Sequence, residues 1–146
     1  MTVTKVALVA DESAEVRRSQ RTLLHDLGFL AIEAEDGFQV LDLLRRARPS
    51  LVVLDLALRG LDGTEVLHFI RRNVDWMDIP VLVYSALTDT STRRIVLQAG
   101  GTAFLEKPGA APALRSAVSA LFGLKGKERQ AAGAPGSEWG GPIPLF

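Results

Sequence analysis

Five short aliphatic runs, separated by longer segments with helical spacing, constrain the fold of this 146-residue chain more than any other feature. The runs lie at residues 6–10, 29–33, 51–54, 81–84 and 102–106. Strands and helices that alternate in this way favour right-handed crossovers between parallel strands, with helices covering both faces of the sheet. We therefore expect five strands and five helices in a three-layer, doubly wound α/β domain over about residues 3–123.

The composition of each run predicts its place in the sheet. The first, third and fourth runs are almost purely apolar, as strands buried on both faces should be. The second and fifth runs contain polar residues, which favours positions at the two edges.

The segments between the runs carry helix signals. Two apolar sets recur with helical spacing: Val16, Leu23, Leu24 and Leu27 in the first segment, and Leu114, Ala117, Val118 and Leu121 in the last. Asp36 and Asp62 are each followed three residues later by Gln or Glu, a spacing typical of capping boxes at helix starts. Gly28 and Gly100 stand where helices are expected to end.

Charge and composition exclude several classes of function. The 17 basic and 17 acidic residues balance, so we expect no direct binding of nucleic acid. No apolar run approaches the roughly 18 residues that span a bilayer, and the first residues do not resemble a signal peptide, so we expect no membrane partner and a cytoplasmic location. The chain has no cysteine and only two histidines, His25 and His68, which disfavours thiol chemistry and a zinc site. Both histidines are expected on helix surfaces, as are Arg17, Arg18 and Arg21.

Residues 124–146 differ from the rest of the chain. They are rich in Gly, Pro, Ala and charged residues and have no periodicity, which predicts a flexible tail or linker after a domain at residues 1–123. Within them, Trp139 and the final sequence PIPLF form either a small docking motif or part of an unstructured end. Trp76, in the connection before the fourth run, is expected to be a packing anchor rather than a site residue.

Polar residues stand at the carboxyl ends of four of the five runs. Asp11 and Glu12 follow the first run, Asp55 ends the third, Ser85 ends the fourth and Lys107 lies just past the fifth. Open α/β sheets bind ligands outside the carboxyl ends of their strands. We therefore expect three acids, a hydroxyl and an amine to meet at one edge of the sheet.

The chemistry of such a cluster is restricted. Each residue alone has a structural explanation: an acid as a helix cap, Ser85 as a loop residue, Lys107 as a solvated side chain. Together, three carboxylates repel one another and favour a hard divalent cation such as Mg²⁺. A metal, a lysine and a hydroxyl donor around a nucleophilic carboxylate are what phosphoryl transfer to an aspartate requires. Asp55 is the acid least easily explained as a helix cap, because it ends the most apolar run and Asp62 already provides the cap of the next helix.

These residues resemble the receiver domain of two-component response regulators, the CheY-like superfamily. The resemblance covers residues 4–122 and rests on an ordered set of motifs. The set comprises the acids after VALVA, the aspartate in LVVLDLALRGLDG, the serine in VLVYSA and the lysine–proline pair in AFLEKP. It implies a flavodoxin-like (βα)5 fold with a parallel sheet of strand order 2-1-3-4-5.

The resemblance also implies roles at the acidic edge. Asp55 would accept a phosphoryl group, and the chain would be a signalling phosphoacceptor rather than an enzyme. Mg²⁺ or Mn²⁺ would be held by Glu12, Asp55 and the main-chain carbonyl of Ala57, with Asp11 assisting through water.

Further implied roles concern signalling. Lys107 would pair with the phosphoryl group, Ser85 would move to bind it, and the ring of Phe104 would swing inward. The phosphoryl donor would be a histidine kinase or a histidine phosphotransfer protein. The fourth helix, fifth strand and fifth helix would form the surface that downstream partners or a second copy of the chain read.

Four positions depart from the usual family pattern. Glu12 stands where aspartate is usual, Phe104 where tyrosine is frequent, Arg59 where proline is common, and Gly109, which lies outside the residues that the structure describes, where phenylalanine is common. Arg59 either approaches the phosphoryl group or is a solvated loop residue. With Ala57, it is a candidate modulator of the reaction rates.

Alternatives remain at the level of function. The chain is either a stand-alone phosphoacceptor or a receiver excised from a longer regulator or hybrid histidine kinase. It is otherwise a pseudo-receiver, an interaction module that no longer uses phosphate. A flavodoxin-like cofactor enzyme is disfavoured because no Gly-rich phosphate loop follows the first run.

Overall fold

Five strands alternate with five helices along the part of the chain that the computed structural model describes, residues 5–87, 89–108 and 111–124. The strands are β1 (Lys5–Ala10), β2 (Phe29–Ala34), β3 (Leu51–Leu54), β4 (Val81–Ser85) and β5 (Ala103–Glu106). The helices are α1 (Ala14–Asp26), α2 (Gly37–Ala47), α3 (Gly63–Arg72), α4 (Thr90–Gln98) and α5 (Ala111–Leu121). The predicted tail, with Trp139 and PIPLF, lies outside the described residues.

All strand pairs are parallel, and the order in the sheet is β2-β1-β3-β4-β5, as predicted. The strands with polar residues, β2 and β5, lie at the edges, which confirms the inference from composition. β5 begins one residue later than its run, and the hydroxyl of the preceding Thr102 accepts a hydrogen bond from the Val81 amide at 2.9 Å.

Two apolar cores lie on opposite faces of the sheet. In β3, Val52 and Leu54 belong to the core under α2, α3 and α4, while Leu51 and Val53 belong to the core under α1 and α5. Alternate side chains of a strand point to opposite faces, so a central strand covered on both sides must be apolar throughout. Burying one such side chain contributes about 1.5–3 kcal/mol, which fixes the strand whose end carries Asp55.

The helix boundaries agree with the predicted signals in most respects. Asp62 and Glu65 form a complete capping box at the start of α3. Asp36 caps α2, but the Gln39 side chain accepts from the amide of Glu35 at 2.8 Å rather than from Asp36. The second half of that capping-box prediction is therefore wrong by one residue.

Other predicted positions are confirmed. Gly28 and Gly100 follow the last turns of α1 and α4 with φ of 94° and 103°, conformations that L side chains rarely adopt. Trp76 is buried in the core beneath α2, α3 and α4, while His25 and His68 are exposed. Among the described helices, none has the length and apolar character needed to cross a membrane.

Candidate functional site

The register of the central strands β1 and β3 brings Asp11 and Asp55 to neighbouring positions. Ala10 pairs with Leu54 at the ends of β1 and β3, and the amide of Asp55 donates to the Ala10 carbonyl at 2.9 Å. Asp11 directly follows β1 and Asp55 directly follows β3, so the two acids leave the sheet side by side at its carboxyl edge.

Lys107 joins these two acids. Its ammonium donates to Asp55 Oδ2 at 3.0 Å and also to Asp11 Oδ2. The remaining carboxylate oxygens accept main-chain amides: Asp11 Oδ1 from Ser13 at 2.9 Å and Asp55 Oδ1 from Ala57 at 3.3 Å. Both acids are thus compensated by one cation and by hydrogen bonds, the condition under which buried carboxylates are tolerated.

Burial and charge act in opposite directions on Lys107. Desolvation disfavours the charged ammonium, but the hydrogen bonds to Asp11 and Asp55 and the charges of both acids outweigh it. The pKa of Lys107 therefore lies above its ordinary value of 10.5. The ring of Tyr84, whose centroid is 5.5 Å from the ammonium, adds a cation–π contact. Lys107 is thus a permanent positive charge at the strand ends.

Glu12 has a different partner from the other two acids. Its Oε1 lies 3.2 Å from Nε of Arg59, in the loop between β3 and α3. Both side chains are open to solvent, with exposed fractions of 42% for Glu12 and 85% for Arg59. Neither of the two readings of Arg59 from sequence included this ion pair.

The loop that carries Arg59 is held against the start of α2. The amide of Gly37 donates to the Arg59 carbonyl at 3.0 Å. The ring of Phe38 covers Gly60, whose φ is 75° and whose missing Cβ would lie 2.6 Å from a ring carbon. The main chain at Arg59 is therefore fixed, although its side chain is exposed.

Arg17 was expected on the exposed surface of α1, and that prediction is wrong. Its guanidinium turns back and donates from one terminal nitrogen to the carbonyls of Asp11 and Glu12, at 2.7 and 3.1 Å. Nε of Arg17 also donates to Glu33 at 2.9 Å, and its side chain is only 12% exposed. Arg17 therefore fixes the main chain of the acidic pair.

Glu33, on β2, connects two arginines of α1. Arg21 donates to its second carboxylate oxygen at 2.9 Å. The hydrogen bond from Arg21, with that from Arg17 and both charges, holds the pKa of Glu33 below its ordinary value of 4.5, although burial opposes the shift. An acid in the second run was the only sequence signal that could have pointed to this partner of α1.

Ser85 and Phe104 lie close to the acidic edge in sequence but have other contacts in this structure. Ser85 is wholly buried, and its hydroxyl oxygen accepts the amide of Leu87 at 3.2 Å. Its carbonyl accepts the amide of Lys107 at 3.0 Å, which links the ends of β4 and β5. The ring of Phe104 already lies inward and is wholly buried, with the Arg93 guanidinium 5.9 Å from its centroid. The movements inferred for Ser85 and Phe104 stay predictions.

The chain turns sharply beside these contacts. The Lys107–Pro108 peptide bond is cis, and Glu106, the last residue of β5, forms an ion pair with Arg93 of α4. α4 is thereby tied to the strand that leads into Lys107.

The donor chemistry at this edge fits a hard divalent cation. Mg²⁺ and Mn²⁺ prefer carboxylate and carbonyl oxygens, and Mg²⁺ usually takes only one or two protein carboxylates. Asp11 and Asp55 present their carboxylates to the same ammonium, and Ala57, whose carbonyl was the third candidate, contacts Asp55. Within the described residues, no three acids are gathered into a ready cation site, and Glu12 is paired with Arg59 instead.

The structure thus brings together part of the predicted set. Asp11, Asp55 and Lys107 are in direct contact, with Ala57 beside them. Glu12 is adjacent in the chain but engaged elsewhere.

Comparison with known proteins supplies a family. Residues 7–119 match the family described as response regulator receiver domain. Response regulator MprA of Mycobacterium sp. (strain KMS) is 40% identical over 115 residues, which are 79% of this chain and 49% of MprA. The chain spans about half the length of the curated relatives it matches.

Solved structures agree with the sequence match. The receiver domain of the Francisella response regulator 1452 has a TM-score of 0.75 and 27% identity, covering 82% of this chain and 98% of that one. The Mn²⁺-bound form of response regulator Rcp1 has a TM-score of 0.67 and 27% identity, covering 72% of this chain and 82% of the other.

Proposed function

Because the chain belongs to the family of response regulator receiver domains, we propose that it accepts a phosphoryl group on Asp55 as a step in two-component signalling. The observation that carries the proposal is the contact of Lys107 with both Asp55 and Asp11 at the carboxyl edge of the sheet. It supports a site in which a nucleophilic carboxylate and a fixed cation are already adjacent.

The chemistry follows from this arrangement. A carboxylate oxygen of Asp55 bonds to phosphorus while the bond from phosphorus to the donor's leaving atom breaks, which gives an acyl phosphate. Lys107 provides positive charge at the transferring group, and such preorganised charge is commonly the largest contribution to catalysis. Asp11 accepts a second hydrogen bond from the same ammonium, which supports the orientation of Lys107.

A divalent cation, Mg²⁺ or Mn²⁺, would be held by Asp11, Glu12, Asp55 and the carbonyl of Ala57. When bound, it neutralises charge on the phosphoryl oxygens. The Mn²⁺-bound form of the similar protein Rcp1 supports the choice of metals. Arg17 contributes by holding the main chain that carries two of these acids.

The proposed donor is a histidine kinase or a histidine phosphotransfer protein. The proposed output surface comprises α4, β5 and α5, where a downstream protein or a second copy of the chain would bind. Two features support it: Ile95 of α4 is about half exposed, and the Arg93–Glu106 ion pair couples α4 to the strand that precedes Lys107.

A direct phosphorylation assay tests the proposal. The full chain is incubated with Mg²⁺ and acetyl phosphate, and intact mass is measured for the natural chain and for Asp55→Asn. We expect one phosphoryl group on the natural chain and none on Asp55→Asn. A folded natural chain that gains no phosphate, or an Asp55→Asn chain that gains one, would contradict the proposal.

One observation favours the pseudo-receiver as a second candidate. Glu12, one of the expected metal ligands, is paired with Arg59 of the chain itself, and within the described residues no three acids are gathered into a ready cation site. Such a module would keep its fold and bind neither metal nor phosphate. The same assay, joined with a metal titration, separates the two candidates.

A further inference from the structure

We propose that Arg59 is an exchangeable counter-ion for Glu12, which occupies the Glu12 carboxylate in the metal-free chain and must release it before Glu12 can bind a divalent cation. Arg59 would thereby set the metal affinity of the site. This inference rests on the proposed metal-dependent phosphoacceptor function and deepens it.

The distribution of cations among the acids is the first step. Lys107 contacts Asp11 and Asp55, while the ion pair of Glu12 is with Arg59. Three carboxylates therefore face two cations, and one negative charge is left over. A divalent cation that takes the place of Arg59 brings one more positive charge to the acids and makes their compensation complete.

The second step is that the main chain is fixed both at Glu12 and at Arg59. Arg17 holds the carbonyl of Glu12 at 3.1 Å, and Gly37 holds the carbonyl of Arg59 at 3.0 Å. Exchange of partners at Glu12 then requires only side-chain rotation, which occurs in picoseconds to nanoseconds at exposed positions.

The exposure of the pair is the third step. A buried ion pair would resist exchange, since breaking it leaves an unpaired charge in a poorly solvated place. Glu12 and Arg59 are 42% and 85% exposed, so water can solvate either side chain after they separate. Exposed pairs are weak, and we therefore expect Arg59 to reduce metal affinity by about two- to fivefold rather than to prevent binding.

The length of Glu12 fits the same role. Glu12 stands where aspartate is usual in the family, and its additional methylene lets the carboxylate reach a partner in the neighbouring loop. Arg59 stands where proline is common, and proline offers no positive charge. Two of the departures from the family pattern, Glu12 and Arg59, thus contact each other.

Mn²⁺ titration of the full chain tests the inference, with free Mn²⁺ measured by electron paramagnetic resonance at low ionic strength. Arg59→Ala should bind Mn²⁺ about two- to fivefold more tightly than the natural chain. Arg18→Ala removes the same charge from an exposed position of α1 and serves as the matched control. The gain in Arg59→Ala should shrink in concentrated salt, which screens exposed pairs.

A double-variant cycle separates direct pairing from a general effect of charge. In the Glu12→Gln background, Arg59→Ala should leave Mn²⁺ affinity unchanged, because the carboxylate that Arg59 occupies is gone. An equal gain in both backgrounds, an equal gain in Arg18→Ala, or no gain in Arg59→Ala would overturn the inference. If the natural chain binds Mn²⁺ and is phosphorylated, but Arg59→Ala binds Mn²⁺ with the same affinity as the natural chain, only this inference fails. If the natural chain binds no Mn²⁺ and gains no phosphate, the proposed function fails with it.

Discussion

Arg17 of α1 and Glu33 of β2 form an ion pair, with Nε of Arg17 2.9 Å from a carboxylate oxygen of Glu33. The same guanidinium donates to the carbonyls of Asp11 and Glu12. One side chain therefore joins the first helix, an edge strand and the acidic loop. The position of the acids thus depends on a residue that would contact neither metal nor phosphate.

Arg17→Met should weaken Mn²⁺ binding and lower the free energy of unfolding by about 1.5–3 kcal/mol, because hydrogen bonds from a charged group are lost and two carbonyls lose a donor. Removal of a positive charge alone would strengthen binding of a cation, so weaker binding indicates loss of position. Calorimetric Mn²⁺ titration and urea denaturation measure the two effects.

Arg21→Met is the control for Arg17→Met. Within the described residues, Arg21 shares Glu33 but forms no hydrogen bond or ion pair with the acidic loop, and its side chain is 58% exposed. The Arg21→Met substitution should lower the free energy of unfolding by about 0.2–1 kcal/mol and leave Mn²⁺ affinity nearly unchanged. Equal losses of Mn²⁺ affinity in the two variants would show that Arg17 acts through helix α1 as a whole.

Glu33 should make the free energy of unfolding depend on pH in the acidic range. Its pKa is lower in the folded chain than its ordinary value of 4.5, so its ionised form stabilises the fold above that pH. This contribution is lost as the pH falls through the folded-state pKa. Glu33→Gln should therefore be less stable than the natural chain at pH 7, and the difference should shrink below pH 4.5. Urea denaturation at a series of pH values measures it, and a constant difference would contradict the assignment.

The sheet and the meeting of the acids with Lys107 could be predicted from the sequence for physical reasons. Apolar runs mark buried strands, and parallel connectivity puts every carboxyl end at one edge, so Asp11, Asp55 and Lys107 converge whatever the details of packing. The cap at Asp62 is local in the chain and was also predictable.

Contacts made by long side chains were not predictable in the same way. Helical periodicity put Arg17 on the polar face of α1, but its stem is long enough for the guanidinium to return to the carbonyls of Asp11 and Glu12. The pairing of Glu12 with Arg59 depends on how the loop after β3 is held against α2, which no local pattern encodes.

Gly63 should be intolerant of a side chain because it lies against the main chain at the phosphoacceptor candidate. A Cβ on Gly63 would stand 2.6 Å from Cα of Leu56 and closer still to the carbonyl oxygen of Asp55. Gly63→Ala should lower the free energy of unfolding by about 1–3 kcal/mol, although alanine favours helix by about 0.5–1 kcal/mol. It should also slow phosphorylation by acetyl phosphate, since Asp55 must move. Thr64→Ala is the neighbouring control, and equal stability losses in both variants would refute the steric explanation.

The ion pair of Arg93 and Glu106 should couple α4 to β5. The side chains are 26% and 33% exposed, so solvent screens the pair less than it screens a fully exposed one. A double-variant cycle with Arg93→Met and Glu106→Gln, measured by urea denaturation, should give a coupling free energy of about 1 kcal/mol. The cycle isolates this pair because the contributions of other contacts of Arg93 cancel. Either single variant should also speed hydrogen exchange at the amides of α4, whose link to β5 is lost. Additive effects within about 0.3 kcal/mol would mean that the pair does not hold α4.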